Sequence, residues 1–515
     1  MRVLLLFLFI YCCDGYKLLL FFPLPGKSHG ILGEAMVHHL VKAGHEVTYI
    51  APYPLKKPAE NVRYIDVSEN INVVPVFQVF DINKLMYKEM DLQNMNIMFM
   101  IMEGFMNATL QISSVQNLMH DPNTNFDAVI VEWLFTEIGA GFSEVFGCPL
   151  IWFSSMEPHS FLLSLIDDHL SPAYTVFNWD RQYSLDFYGR VKHLYLFLNL
   201  IFDKWKLKDI DEIIYRHAYK SAAQSRGRKL SPLHKVKYNA SLMLGNSHVS
   251  SGESFTLPQS YKPIGGFHIP DEIEPLPKNL QDIMDKSTNG VIYFSLGTIL
   301  QSTAIPDSVK RELLNGFSQL KETVIWKFET EISNLPNNVH VVSWAPQRSI
   351  LAHPNTKLFI THGGLLSTFE VLRFGVPIIG IPMFGDQFIN VNRAVRKGFA
   401  KRFDLGQEPV NVLIDHIKEI LRNPSYREKA KELSVAYHDR PVSPGAELVH
   451  WVEHVVKTRG APHLRSPALH VPFYQKLYLD LLVLLLIIFS AFLFVTIRAL
   501  SLFRNNSSVI EKKIQ

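Results

Sequence analysis

Cysteine is nearly absent: 515 residues hold three, and two of these, Cys12 and Cys13, lie in the first fifteen positions. With that leader removed Cys148 stands alone, so no intrachain disulfide can form and stability must come from large apolar cores. Charge of one sign is scarce as well. The net charge is only +3 and is spread without a basic block, which excludes nucleic acid as a partner. Long apolar runs are confined to the two ends. The run "MRVLLLFLFIYCCDG" (1–15) has an early arginine, an apolar stretch and small residues after it, and reads as a cleaved secretory signal peptide. The run "LYLDLLVLLLIIFSAFLFVTI" (477–497) is long enough to cross a bilayer as one transmembrane helix. Arg498, Arg504, Lys512 and Lys513 follow it, so the tail 498–515 is expected in the cytosol and everything between the two runs in the lumen. The closing "KKIQ" has the form of a dilysine retrieval signal, which points to a single-pass type I protein of the endoplasmic reticulum membrane. Asn107 in "NAT" and Asn239 in "NAS" then become lumenal N-glycosylation acceptors.

Between the ends the chain is too long for one core, and its periodicity splits it in two. "YKLLLFF" reads as a strand, "PLPGKSHG" as a loop, "ILGEAMVHHLVKAG" as an amphipathic helix and "HEVTYIAP" as the next strand. The pattern recurs through "FDAVIVEW" and "CPLIWFSS". Residues 16–265 are therefore expected to form an α/β domain around a parallel sheet. The prolines and glycines of "YKPIGGFHIPDEIEPLP" mark a linker at 266–277. A second series, "GVIYFSLGT", "TVIWKFE", "VHVVSWAP", "LFITHGG" and "VPIIGIP", fills 278–460. The fold class is α/β, two tandem Rossmann-like domains with a cleft between them, and ligands are expected beyond the carboxyl ends of the strands.

Two apolar segments have two readings each. Residues 189–217, "GRVKHLYLFLNLIFDKWKLKDIDEIIYRH", interleave aromatics with lysines and fit either internal helix packing or a helix resting on a membrane face. The Met- and Phe-rich "LQNMNIMFMIMEGFMNATL" (92–110) suits either a pocket for a lipophilic molecule or ordinary core packing.

The chemistry concentrates in "FITHGGLLSTFE" (359–370). An apolar strand stops at His362, and Gly363 and Gly364 let an anion approach the bare main chain. The helix that follows offers free N–H groups and the positive end of its dipole. Upstream, "WAPQRSILAHP" supplies Trp344, a flat face for a base, and Gln347, an amide that can both donate and accept. Glu370 offers a carboxylate to a ribose diol, and in "FGDQ" Asp386 and Gln387 present an acceptor and a donor to sugar hydroxyls. That order suits a nucleotide sugar.

The composite "WAPQ…HP…FITHGG…S..E…GVP…P.FGDQ..N" resembles the signature of the UDP-glycosyltransferases, the family that includes UDP-glucuronosyltransferases and ecdysteroid glucosyltransferases. The resemblance extends over the mature chain and implies the two-domain GT-B arrangement, with the UDP-sugar donor on the second half and a small lipophilic acceptor on the first. It implies that Trp344 stacks on uracil, Gln347 bonds to it, His362 contacts the diphosphate, Glu370 holds the ribose, and Asp386 and Gln387 bind the transferred sugar. Ser295 and Gly297 in "FSLGT" match a further donor loop, and Ser367 lies beside the phosphates. Leu366 stands where many relatives carry asparagine, and "HGGLLST" is similar to the invertebrate branch, whose usual donor is UDP-glucose rather than UDP-glucuronate.

Transfer from a UDP-sugar needs a base for the acceptor hydroxyl and stabilisation of the leaving diphosphate. His29 in "GKSHG" lies after the first strand, at a helix mouth where the dipole favours a neutral imidazole. A loop histidine is ordinarily just solvated, and the chain has 21; the match to the family's catalytic position selects His29. The family's aspartate partner is replaced by Glu132 at the end of "FDAVIVE", with Asp127 as the fallback. His38 and His39 read as surface or packing residues. "KDIDE" places Asp209 and Asp211 at a metal-binding D-x-D spacing, but in a charged helical pattern, so no metal and no cofactor are expected. The resulting expectation is an inverting UDP-glycosyltransferase, a homo-oligomer being admitted but not required. The competing readings are a catalytically silent binding protein of the same fold and, more weakly, a sugar-nucleotide epimerase.

Overall fold

The computed structural model describes residues 15–57, 60–72, 82–87, 89, 95–169, 171–173, 175, 186–253, 256–298 and 302–514, with side chains through Leu502. Residues 1–14 of the expected signal peptide, the side chains of Lys512 and Lys513, and residues 92–94 lie outside the described set. Two compact units separate at Arg465.

The first unit contains two parallel sheets. Strands β1 (Lys17–Phe21), β2 (Glu46–Ala51), β3 (Val62–Asp66), β4 (Ala128–Glu132), β5 (Leu150–Ser154), β6 (Leu242–Gly245) and β7 (Tyr261–Pro263) lie in the order β3-β2-β1-β4-β5-β6-β7. Strands β8 (Val291–Ser295), β9 (Thr323–Lys327), β10 (Val339–Val342), β11 (Thr356–Thr361), β12 (Ile378–Gly380) and β13 (Ala400–Arg402) lie in the order β10-β9-β8-β11-β12-β13. Leu18–Phe21, Ala128–Glu132, Val291–Ser295 and Leu358–Thr361 are buried throughout, as strands covered by helices on both faces must be. In each sheet the strand order reverses once, between β1 and β4 and between β8 and β11. These reversals are the crevices where such sheets bind ligands, and the sequence-predicted site residues cluster there.

Helix α1 (Lys27–Lys42) begins earlier than the sequence pattern indicates. Gly26 stays extended and its carbonyl accepts from the His29 and Gly30 amides at 3.0 and 3.1 Å, so His29 occupies the first helical turn rather than a loop. Helix α2 (Ile82–Met86) belongs to the first half by sequence. Its apolar side chains nevertheless pack in the core of the second sheet, with Leu405 and Val410. Helix α3 (Met95–Gln111) buries Phe99, Met102, Phe105 and Met106 in the first core, which settles that face of the Met-rich segment as packing. Gly104 lies within this helix with open space where a Cβ would project. Gly104→Ala is therefore expected to raise stability by about 0.5–1 kcal/mol through unfolded-state entropy alone, read as a higher midpoint in denaturant titration with activity unchanged.

Helix α4 (Phe187–Ser225) is capped by the Asp186 carboxylate, which accepts from the Gly189 amide at 2.7 Å. Asp209 and Asp211, two residues apart on this helix, point differently. Asp209 is exposed, whereas Asp211 is buried and paired with Lys204 at 3.3 Å. The D-x-D spacing is thus divided between a solvent face and an internal ion pair.

Helices α5 (Gln347–Ala352), α6 (Leu365–Phe374) and α7 (Gln387–Arg396) carry the residues for which the sequence resemblance implies donor contacts. Helix α8 (Pro444–Lys457) starts at Ser443, whose hydroxyl accepts from the Ala446 amide, with proline at its first position. Sequence order assigns α8 to the second half, but Leu448, Val452 and Val455 pack in the first sheet's core beside Leu32, Met36 and Leu40 of α1. A Cβ on Gly445 would collide with the His39 ring, so glycine permits this close approach. The linker is pinned on both sides: Phe267 is in the first core, while the His268 carbonyl accepts from Arg348 at 3.0 Å and that of Glu274 from Ser349 at 2.7 Å.

The second unit contains helix α9 (Leu479–Ile514). Its Leu479–Leu502 stretch has a mean hydropathy of 2.8 and is long and apolar enough to cross a membrane.

Candidate active site

The first crevice is built from β1 and β4. The chain leaving β1 turns into α1 and carries His29, while β4 ends at Glu132. His29 Nδ1 donates to Glu132 Oε1 at 2.5 Å. Glu132 is completely buried, and its Oε2 has no hydrogen-bond partner among the described residues. A carboxylate in that position has one use for its charge, the imidazole in front of it. It fixes the tautomer, so the lone pair sits on Nε2, the nitrogen that Glu132 does not engage. Asp127, the alternative partner, is at the opposite end of β4 and accepts from the Lys17 amide at 2.7 Å; it pins the starts of β1 and β4 together instead.

The second crevice is built from β8 and β11. Their register pairs Ser295 with Thr361, which brings the loops after both strands side by side. Gly297 has φ +86° and Gly363 φ +81°, backbone conformations that side chains disfavour. The His362 ring is enclosed by glycine: Cβ atoms placed on Gly297 and Gly364 would sit 2.6 and 2.5 Å from it. Burial and the nearby Lys327 ammonium push the His362 imidazole down to about 4, so it is neutral at physiological pH. Its Nδ1 is buried without a partner among the described residues. Ser295 Oγ accepts from the Gly297 amide at 3.3 Å and so helps to hold the loop.

Lys327 was not selected by sequence reasoning. It ends β9, is buried, and donates to the Gly297 carbonyl at 3.1 Å and to Glu329 at 2.6 Å. Its signal is a lysine closing the otherwise apolar run "TVIWK". Asn390 was missed too, although the "FGDQ..N" pattern includes it. Its amide donates to the Gly363 carbonyl at 3.1 Å and to Asp386 Oδ2 at 2.9 Å, tying the glycine turn to the start of α7.

Gln347, Ser367 and Glu370 converge across α5 and α6. Gln347 Nε2 donates to Ser367 Oγ at 2.9 Å and to Glu370 Oε2 at 2.5 Å. Burial pushes the Glu370 carboxyl up to about 7, against the opposing pull of the Gln347 hydrogen bond and of Arg348. Asp386 is raised as well, by burial, with Asn390 and the His29 ring acting in the other direction. His29, on the first half, thus lies near enough to Asp386, on the second, to act on its carboxyl. Gln387 is engaged locally: its Oε1 accepts from the Met383 and Phe384 amides at 2.9 and 3.2 Å. Trp344 is exposed, with Lys27 and Lys56 of the first half 5.9 and 6.0 Å from its ring centroid. Leu366 packs against the first sheet's core, so the apolar residue at this position serves contact between the halves. Asn107 and Asn239 are both exposed, the latter with Oδ1 accepting from Arg465 at 2.5 Å.

Behind Glu132 the chain is strapped by charge. Phe135 has φ +59°, an unfavourable conformation for a side-chain-bearing residue. Its carbonyl accepts from Lys204 at 3.0 Å, and Trp133 Nε1 donates to Glu137 at 3.2 Å. Lys204 also meets Glu137 and Asp211 at 3.6 and 3.3 Å. Long helix α4 thereby fixes the loop that follows the strand carrying Glu132.

An imidazole–carboxylate pair after β1 and β4 and a glycine turn after β11 thus lie at the carboxyl ends of central strands of the two sheets. The family model for UDP-glucoronosyl and UDP-glucosyl transferase matches residues 18–514. The UDP-glycosyltransferase UGT5 of Dactylopius coccus is 32% identical over 496 residues, 93% of this chain and 90% of the relative. The UDP-glucosyltransferase 2 of the same organism is 31% identical over 502 residues, 96% and 95% of the two chains. Among solved structures, the calicheamicin glycosyltransferase CalG4 superposes with a TM-score of 0.56 at 16% identity, covering 87% of this chain and 100% of that one, which is the GT-B fold. The chain belongs to the UDP-glucoronosyl and UDP-glucosyl transferase family and is a glycosyltransferase acting on a UDP-sugar.

Proposed function

We propose that this enzyme transfers glucose from UDP-glucose, with inversion, to a hydroxyl of a small lipophilic acceptor such as a phenol or steroid, at the lumenal face of the endoplasmic reticulum membrane. The observation that carries the reading is the His29–Glu132 pair, its imidazole within electrostatic reach of Asp386. In the proposed step the acceptor O–H proton passes to His29 Nε2. The acceptor oxygen attacks the anomeric carbon, and the bond from that carbon to the diphosphate oxygen breaks with its electron pair leaving on UDP. Glu132 then faces an imidazolium and stabilises it. The diphosphate charge is met by the amides at the start of α6, by the Gly363–Gly364 turn and by His362, with Lys327 behind. Trp344 and Gln347 hold the uracil, Ser367 lies beside the phosphates, Glu370 holds the ribose, and Asp386 and Gln387 hold the sugar. No metal takes part, because these groups already supply the charge stabilisation.

Support for glucose comes from the invertebrate-type "HGGLLST" and from the relative named as a UDP-glucosyltransferase. The test incubates the membrane-bound protein with UDP-glucose or UDP-glucuronate and a panel of phenols, flavonoids and steroids, with and without EDTA. A β-glucoside formed equally in EDTA is expected. Preferential glucuronide formation, or activity abolished by EDTA, rejects the donor or metal assignment respectively.

The raised Glu370 carboxyl gives a second expectation. A folded value above the unfolded one means that its stabilising contribution is complete below about pH 4.5 and lost as pH rises through about 7. Ribose hydroxyls donate to the ionised form, so UDP binding releases a proton. Affinity for UDP should therefore rise between pH 5 and 7, by up to about tenfold per unit, and then level off. Calorimetric titrations across that range check it, and Glu370→Gln should flatten the profile.

A further inference from the structure

Residues 187–225 are one helix, and its two halves differ in what they leave exposed. The C-terminal half of α4 is packed: Tyr215, Ala218, Tyr219, Ala222 and Ala223 are fully buried. The N-terminal half buries Gly189, His193, Phe197 and Leu200 along one side and leaves the other side open. Tyr188 is 77% exposed, Val191 50%, Tyr195 63%, Leu198 53%, Phe202 52% and Trp205 57%. Their spacing of three and four residues lays them along one side of the helix, roughly 25 Å from end to end at 1.5 Å per residue. Met100 of α3 is also exposed. A soluble face does not ordinarily leave so many large side chains in water, since each would gain about 1.5–3 kcal/mol on burial.

We infer that the N-terminal half of α4 lies in the interface of the bilayer that α9 enters, with its apolar side among the acyl chains and its lysines at anionic headgroups. Three observations select a lipid surface over a protein partner. Four of the six stripe residues are aromatic, and tyrosine and tryptophan favour the membrane–water boundary. Cations border the stripe and lie over its rings: Lys206 Nζ is 4.3 Å from the Phe202 centroid and Lys208 Nζ 4.8 Å from that of Trp205, with Arg190 also exposed. Long basic side chains placed so can extend their charge to headgroups while their stems cover apolar surface. Finally, only residues 466–478 separate the body from the candidate span, a stretch that reaches at most about 45 Å fully extended. The inference rests on the reading that Leu479–Leu502 spans a bilayer.

The test uses the full chain with Cys12, Cys13 and Cys148 changed to alanine and one new cysteine, introduced by Tyr195→Cys, Leu198→Cys, Lys220→Cys or Leu486→Cys, carrying a fluorophore. Each variant is placed in nanodiscs of phosphatidylcholine and phosphatidylserine, at no more than one copy per disc, with ordinary or brominated acyl chains, after glycosyl transfer has been verified. Bromination is expected to dim the labels at 195 and 198 by about twofold, as at the shallow depth of an interfacial helix, to leave 220 unchanged, and to quench 486 strongly. Adding Lys206→Glu and Lys208→Glu should reduce the effect at 195 and 198 alone. If 486 is quenched while 195 and 198 are not, the interfacial placement is wrong although the span is right. If 486 is unaffected, the span reading fails, and quenching at 195 and 198 still decides the placement of α4. Labels at 195 and 198 that are shielded from aqueous iodide without lipid quenching would show a protein cover and overturn the inference.

Discussion

His29→Ala is expected to lower kcat by about a thousandfold, within the range by which a positioned base accelerates transfer, with UDP affinity unchanged. The ring's one protein hydrogen bond found among the described residues is to Glu132, and the donor cradle is assembled from β8, β11 and the helices after them. Removing the imidazole therefore takes away proton acceptance and leaves the uracil, ribose and diphosphate contacts in place. Glu132→Gln should cost less than His29→Ala but more than a surface change, because a neutral amide no longer balances an imidazolium in a fully buried position. Initial rates with a fixed acceptor, alongside calorimetric UDP binding, read both effects. A His29→Ala enzyme within threefold of wild type would remove His29 from the chemistry.

The second large effect is predicted for Gly363→Ala. Its φ of +81° disfavours any side chain, and the new Cβ would lie 2.3 Å from Val391 Cγ2 and 3.3 Å from the Gln387 carbonyl oxygen. Strain and overpacking together should destabilise the protein by about 3 kcal/mol. The turn cannot shift alone, because Asn390 links the Gly363 carbonyl to Asp386. The diphosphate turn and the sugar-binding end of α7 should thus be displaced together, with UDP binding lost as well as a lower unfolding midpoint. The substitution Gly104→Ala, at a glycine with neither constraint, moves stability the other way and serves as the internal comparison. Wild-type UDP affinity in Gly363→Ala would show that the cradle tolerates a Cβ there.

The strands and glycine turn of the second half were legible in the sequence because they sit in short, contiguous stretches. A strand, two glycines and a helix start fold into a tight turn that presents free amides at the helix N-terminus. The same logic found the first strand-helix-strand unit, though it placed His29 in a loop, since the hydrophobic period starts only at Ile31 while capping by the Gly26 carbonyl starts the helix at Lys27. Lys327 and Asn390 escaped because their importance lies in what they touch. Neither a lysine ending a strand nor an asparagine one helical turn into a helix is unusual by itself.

Other features depend on contacts between residues far apart in the chain, and local pattern carries no record of those. The sequence names Glu132 as the family's replaced aspartate, but the 2.5 Å bond across 103 residues decides that its longer side chain reaches His29 and that Asp127 does not compete. Helix α8 has the amphipathic period of any surface helix, and only tertiary packing assigns it to the first sheet. Residues 187–225 form one helix, and which of its side chains meet the core and which meet the outside follows from the elements that pack along it. What the sequence by itself determined about this protein is what repeats or binds locally: strand runs, the glycine turn, the apolar ends and the donor signature. Tertiary structure decided everything that requires two distant segments to meet, because the sign and worth of a charge, a glycine or an exposed aromatic depend on the neighbour that folding supplies.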